Sequence, residues 1–113
     1  MYEQIRMMLQ STIREFEDLR KKLDQGADQK VIDELFDNIL HRARLLNDYG
    51  VRGAKRFYFK VVALKKMTDN SFKNTLQLPV RFIIKLIERR LKSMEKRIIK
   101  LRDKSLQIDA SDS

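Results

Sequence analysis

Basic side chains give the clearest indication of chemistry in this sequence. Five of them recur every three or four residues within the segment 80–101, a spacing that places them on one face of a helix: Lys85, Arg89, Lys92, Lys96 and Lys100. A helix rises by ~16 Å from residue 85 to residue 96, which is the reach of several backbone phosphates. This stripe therefore predicts a binding site for a polyanion, with nucleic acid as the first candidate.

Four further cations extend the predicted nucleic-acid site: Arg81, Lys55, Arg56 and Lys60. The last three lie among the aromatic residues Tyr58 and Phe59. Cations that alternate with aromatic rings are typical of surfaces on which unpaired bases stack. Aromatic residues at this spacing also serve as core residues of a helix, and this alternative stays open.

The two halves of the chain differ strongly in charge. Residues 1–49 contain 8 Lys and Arg against 10 Asp and Glu, a net charge of −2. Residues 50–113 contain 17 against 6, a net charge of +11. This asymmetry predicts that the C-terminal half meets an anionic partner, since so much like charge on a small domain is self-repulsive. The alternative is a solvated surface that happens to be basic.

The segment 68–88 also fits the frame of a helix-turn-helix unit. Five apolar residues fall on the core positions of that frame: Phe72, Leu76, Leu78, Ile83 and Leu86. Pro79 is favoured as the first residue of a helix and would begin the recognition helix, with Arg81 and Lys85 on its exposed side. The alternative is a loop over 68–78 that joins two helices of a bundle.

Residues suited to catalysis or metal binding are few. The chain has no Cys and a single His, His41, so it offers neither a thiolate nor a histidine cluster. Carboxylates at helical spacing without histidine are typical of a solvated face. The sequence therefore predicts a protein that is not an enzyme, with no metal site and no cofactor.

Four helices are predicted to position the basic residues, over 3–24, 29–49, 54–67 and 79–104. The first two are separated only by a short link around Gly26, with Asp28 as a candidate N-cap, and should form an antiparallel hairpin. The segment 54–67 is ambiguous, because it has helically spaced apolar residues but is rich in strand formers. No second strand is available to pair with it, which favours a helix.

An apolar seam runs along the last helix at alternating intervals of three and four residues, as in a coiled coil. Its central residues are the predicted oligomer interface of a dimer: Ile84, Ile87, Leu91, Met94 and Ile98. The N-terminal hairpin is the other candidate surface for self-association. Ile83 and Leu86 lie off the seam, and they favour packing within a bundle as the alternative.

These observations predict an all-α fold, a four-helix bundle-like domain with an N-terminal helical hairpin and a long basic C-terminal helix. The domain covers 1–106, divided into the hairpin 1–49 and a basic half 50–106, and 107–113 is predicted to be a disordered tail. The predicted function is nucleic-acid binding, with DNA and RNA both open. The alternative is a non-enzymatic adaptor or structural subunit that docks protein partners, one of them acidic. We expect no membrane partner and an intracellular setting, in the cytoplasm, nucleoid or nucleus.

Overall fold

The computed structural model describes the backbone of residues 2–68 and 78–112, and the side chains of residues 2–68 and 80–101. Four helices occupy these ranges: α1 (Tyr2–Gln25), α2 (Gln29–Asp48), α3 (Ala54–Met67) and α4 (Leu78–Asp112). The described residues contain no strand. The predicted all-α, four-helix fold is thus confirmed, with the ends of α1 to α3 within one residue of the predicted positions. None of the described helices is both long enough and apolar enough to cross a membrane.

Helices α1 and α2 form the predicted hairpin. Gly26 has a φ of +67°, a left-handed conformation that suits glycine, and it ends α1. The backbone N–H of Ala27 then donates to the carbonyl of Lys22, which satisfies one of the last carbonyls of the helix. Asp28 occupies the N-cap position of α2, but its side chain makes no capping hydrogen bond.

Residues 54–67 are helical, so the structure resolves the ambiguity between helix and strand. Ala54, Phe57, Val61 and Leu64 are completely buried, and their spacing of three and four residues forms the inner face of α3. Burial of this face outweighs the strand preference of the individual aromatic and β-branched residues, because propensity is weaker than tertiary packing. The outer face of α3 is left to the cations.

The bundle closes as a ring in which each helix contacts its two sequence neighbours and α4 returns to α1. The short links make α2 antiparallel to α1 and α3 antiparallel to α2. Residues 2–10 of α1 lie beside 95–99 of α4 and Arg20 lies beside Glu88, so α4 is antiparallel to α1. Three ion pairs join the helices: Glu15–Arg42 at 2.6 Å, Asp37–Lys65 at 3.1 Å and Arg20–Glu88 at 2.9 Å. The hydrophobic core lies between the four helices and contains the rings of Phe16, Phe36 and Phe57. In this arrangement α3 and α4 lie side by side, so that the two cationic segments become neighbours.

The apolar seam of α4 faces this core. Ile84, Ile87, Leu91, Met94 and Ile98 are all at most 7% exposed within a single chain. They are therefore not available as a dimer interface, which corrects the predicted role of these five residues. The physical reason is that without α4 the apolar faces of α1, α2 and α3 would be exposed to water on one side, and the seam of α4 packs against them. The inner face of the hairpin is buried in the same core, and self-association through the outer surface of the hairpin stays a prediction.

Helix α4 continues to Asp112, past the predicted end at 104 and through most of the segment 107–113 that the sequence predicts to be a disordered tail. The chain has one Pro, Pro79, and its last Gly is Gly53, so no helix-breaking residue follows the first turn of α4. A helix of 35 residues is ~52 Å long, and it accounts for the elongated shape of 60 × 24 × 21 Å.

The turn between α2 and α3 depends on Gly53. Its φ is +94°, and a Cβ atom built on it would lie 3.4 Å from Cδ of Arg90 and 3.5 Å from Cγ of Met94 on α4. We expect Gly53→Ala to lower the free energy of unfolding by about 1–2 kcal/mol, because a positive φ is strained for Ala. Urea unfolding monitored by helical circular dichroism measures this. Arg52→Ala, at the exposed neighbouring position, is the control and should change stability by less than about 0.5 kcal/mol; equal stability of the two variants would contradict the prediction.

Candidate nucleic-acid interface

The predicted stripe of α4 lies on the outer side of the bundle. Lys85, Arg89, Lys92, Lys96 and Lys100 are all exposed, because they are opposite the buried seam on the same helix. Towards the C-terminal end, the surface is slightly concave. A shallow, open depression of about 390 Å³ is lined by six residues, of which five are cations: Arg89, Lys92, Ser93, Lys96, Arg97 and Lys100. A curved cationic surface of this kind suits an extended anionic chain.

Two of the three cations of α3, Arg56 and Lys60, lie on the flank of that helix that faces α4, whereas Lys55 is three residues before Tyr58 and lies nearer the flank that faces α2. Lys55 and Arg56 are exposed and Lys60 is half-buried. Tyr58 and Lys65 contact α2, so helical spacing places Arg56 and Lys60 on the opposite flank of α3, which faces α4. A Cβ atom built on Gly53, at the start of α3, would lie 3.4 Å from the side chain of Arg90 and 3.7 Å from that of Arg97 on α4. We call the combined surface the basic face; it comprises Lys55, Arg56, Lys60, Lys85, Arg89, Lys92, Lys96 and Lys100.

Arg81 lies at the edge of the basic face. Its side chain is exposed. It lies two helical turns before Glu88, which pairs with Arg20 of α1, so Arg81 lies on the side of α4 that is nearer to α1. The same side of α4 carries Glu95, which lines a groove of about 370 Å³ together with Tyr2 and other residues of α1. Both acidic residues of α4 between 80 and 101 therefore lie towards α1, and the basic face is not interrupted by a carboxylate.

None of the cations of the basic face forms an ion pair with a carboxylate of the described residues. The five ion pairs within this part of the chain use other cations: Arg6, Arg20, Lys22, Arg42 and Lys65. Their acidic partners belong to the hairpin, with the exception of Glu88. The hairpin thus neutralises much of its own charge, while the basic face keeps a concentrated positive potential that favours an anionic partner.

The contact between Arg20 and Glu88 shows how one of the two acidic residues of α4 between 80 and 101 is neutralised. Arg20 donates a hydrogen bond of 2.9 Å to a carboxylate oxygen of Glu88. This hydrogen bond and the negative charge of Glu88 raise the pKa of Arg20 above its ordinary value. The positive charge of Arg20 offsets the negative charge of Glu88, and Glu88 therefore adds little repulsion against an anion on the basic face.

The aromatic residues of α3 have different environments. Phe57 is buried in the core. Tyr58 accepts a hydrogen bond of 2.8 Å from Arg44, whose guanidinium lies 5.2 Å from the centre of the Tyr58 ring, so this ring is held against α2. Phe59 meets the Tyr58 ring edge-on at 5.5 Å and is 58% exposed. Phe57 is therefore a core residue. Of the aromatic residues of α3, only Phe59 has a ring that is exposed enough to stack on a base.

Phe82 is a residue that our sequence reasoning missed. Its side chain is 63% exposed on the first turns of α4. The sequence indicates this position, because Phe82 precedes Lys85 by three residues and Arg89 by seven and therefore lies on the same face of the helix as the cationic stripe. A large apolar residue on the solvated column of an amphipathic helix is an exception to its pattern.

The helix-turn-helix prediction is not tested by the structure, since residues 69–77 lie outside the described part of the chain. His41 is exposed on α2, and the described residues contain no group of three or more acidic or histidine side chains that could hold a metal ion. The chain matches no protein-family model, no curated protein and no solved structure.

Proposed function

We propose that the protein binds nucleic acid by laying the basic face on the phosphate backbone. One observation carries the proposal: eight exposed or half-exposed cations lie on two neighbouring helices, α3 and α4, without a carboxylate partner among the described residues. Such a protein acts where nucleic acid is found, in the cytoplasm, nucleoid or nucleus.

The affinity would come mainly from the release of condensed counterions, as each cation replaces a counterion at a phosphate. Lys and Arg on a helix surface contact phosphates without regard to the base, so sequence preference would be weak. The helix-turn-helix unit proposed over 68–88 would add preference at a few positions, through Arg81 and Lys85. From Lys85 to Lys100 the stripe spans ~22 Å, long enough for several phosphates.

The experiment that tests this proposal is a titration of fluorescently labelled oligonucleotides at several salt concentrations. We expect the logarithm of the binding constant to fall linearly with the logarithm of the salt concentration, by about 0.7–0.9 for each phosphate contacted. Polyglutamate of similar length is the control for general attraction to anions. Equal affinity for polyglutamate would favour an acidic protein partner, and no binding to any oligonucleotide at low salt would contradict the proposal.

An adaptor function is the second candidate, and one feature supports it. The groove between α1 and α4 is lined by Tyr2, Leu9, Ile98 and Ile99, and Ile99 is 47% exposed. Exposed apolar residues beside a groove are typical of sites that receive a side chain of a protein partner. This surface is separate from the basic face, so the two functions would be affected by different substitutions.

A further inference from the structure

Two phenylalanine side chains are exposed on the two helices that carry the basic face, Phe59 on the outer side of α3 and Phe82 on the stripe of α4. Phe59 is 58% exposed and Phe82 is 63% exposed, whereas Phe16, Phe36 and Phe57 are at most 1% exposed. Each ring is therefore available to a binding partner. Single apolar side chains are common at a protein surface, so these two rings are informative because of the cations around them and not because of their exposure alone.

Both rings are surrounded by cations. Phe82 is on the line of the stripe, one helical turn before Lys85 and two before Arg89. Phe59 follows Lys55 by one turn and precedes Lys66 by two, and both of these lysines are exposed. A partner that covers the rings must therefore also carry negative charge close to them.

The two rings lie at different levels along the bundle axis. Helices α3 and α4 are antiparallel, and Gly53 is beside Met94, which puts Phe59 level with the residues near Glu88. Phe82 is about six residues from that level, or roughly 9 Å along the bundle axis. A single strand that crosses from the stripe of α4 to the outer side of α3 would meet both rings.

We infer that the basic face takes single-stranded nucleic acid in preference to duplex, with unpaired bases stacked on Phe59 and Phe82. This inference rests on the proposed function and names its substrate class. In a single strand the flat faces of the bases are free to stack on aromatic rings, while the phosphates remain available to Lys and Arg. In a duplex the base faces are stacked on each other, and the two rings would meet only the sugar-phosphate surface.

An anionic lipid surface could also bring together negative charge and apolar groups. Binding in a membrane interface requires a continuous apolar face on a helix, flanked by cations. Here the rings lie on separate helices, and each is an isolated apolar residue within a cationic surface. The arrangement fits a partner that alternates charge with flat apolar groups, which is the pattern of a single-stranded nucleic acid.

The test compares the wild-type protein with the double variant F59L/F82L on a mixed-sequence single strand and on a duplex hairpin. Leucine keeps an apolar side chain but removes the flat ring, and both positions are exposed, so the fold should be unaffected; circular dichroism verifies this. We expect the double variant to bind the single strand about tenfold or more weakly, since each stacked base contributes about fivefold or more. Affinity for the duplex should change by less than about twofold. The salt dependence should stay the same, because every cation that meets a phosphate is retained.

Tyr49→Leu is the matched control, because Tyr49 is exposed but lies at the end of α2 and outside the basic face. It should leave both affinities unchanged. Wild-type protein that binds duplex as well as single strand, or a double variant that keeps its affinity for the single strand, would overturn the inference and leave the proposed function standing. Absence of binding to either oligonucleotide would overturn both. Binding only to vesicles containing phosphatidylserine, weakened by F59L/F82L, would also overturn both and identify a membrane surface as the partner.

Discussion

Replacing Lys85, Arg89 and Lys92 together by Gln is expected to lower the affinity for nucleic acid by about two orders of magnitude near 0.1 M salt. The three cations lie in the middle of the basic face and form no ion pair with a carboxylate of the described residues. Each cation that no longer meets a phosphate leaves one counterion bound to the nucleic acid, so the slope of the binding constant against salt should fall by roughly two to three units. Gln has a high helix propensity, and the fold should be retained.

The matched control for this variant is R14Q/K21Q/K30Q on the hairpin. It also removes one Arg and two Lys, and its three side chains are equally exposed and take part in none of the ion pairs of the described residues. Both triple variants reduce the net charge from +9 to +6, so the long-range attraction to nucleic acid should weaken by the same amount in each. If only net charge mattered, the two variants would bind equally, and the basic face would be rejected as the site. A large loss of affinity in K85Q/R89Q/K92Q alone would support it.

Leu91→Asp is expected to unfold the chain at neutral pH. Leu91 is 3% exposed in the centre of the seam, and an unpaired carboxylate at this position would cost several kcal/mol. This cost is comparable with the whole stability of a small domain, about 5–15 kcal/mol. Loss of helical circular dichroism and of the cooperative thermal transition would measure it.

Leu101→Asp provides the control on the same seam. Leu101 occupies a seam position ten residues further along α4, but it is 63% exposed, so the variant should stay within about 0.5 kcal/mol of the wild type. The pair of variants also separates the bundle from the coiled-coil dimer predicted from the sequence. A wild-type protein that sediments as a dimer, together with a Leu91→Asp protein that is folded and monomeric, would show that the seam joins two chains, and this result would contradict the packing described above.

The sequence by itself determined the helices and their two faces. A helix repeats every 3.6 residues, so the spacing of Ile84, Leu91 and Ile98 indicates that they share one face, and the spacing of Lys85, Arg89 and Lys92 places them on the opposite face. Both assignments follow from local geometry and agree with the burial in the structure. The positions of Gly26 and Gly50 likewise determined where α1 and α2 end, because each adopts a positive φ.

Only the tertiary structure decided what each face meets. A heptad seam has the same pattern whether it packs on a second copy or on its own chain, and the packing of α1, α2 and α3 left a place for it inside one bundle. The pairing of α3 with α4, which joins two cationic segments into one surface, also depends on contacts between residues far apart in the sequence.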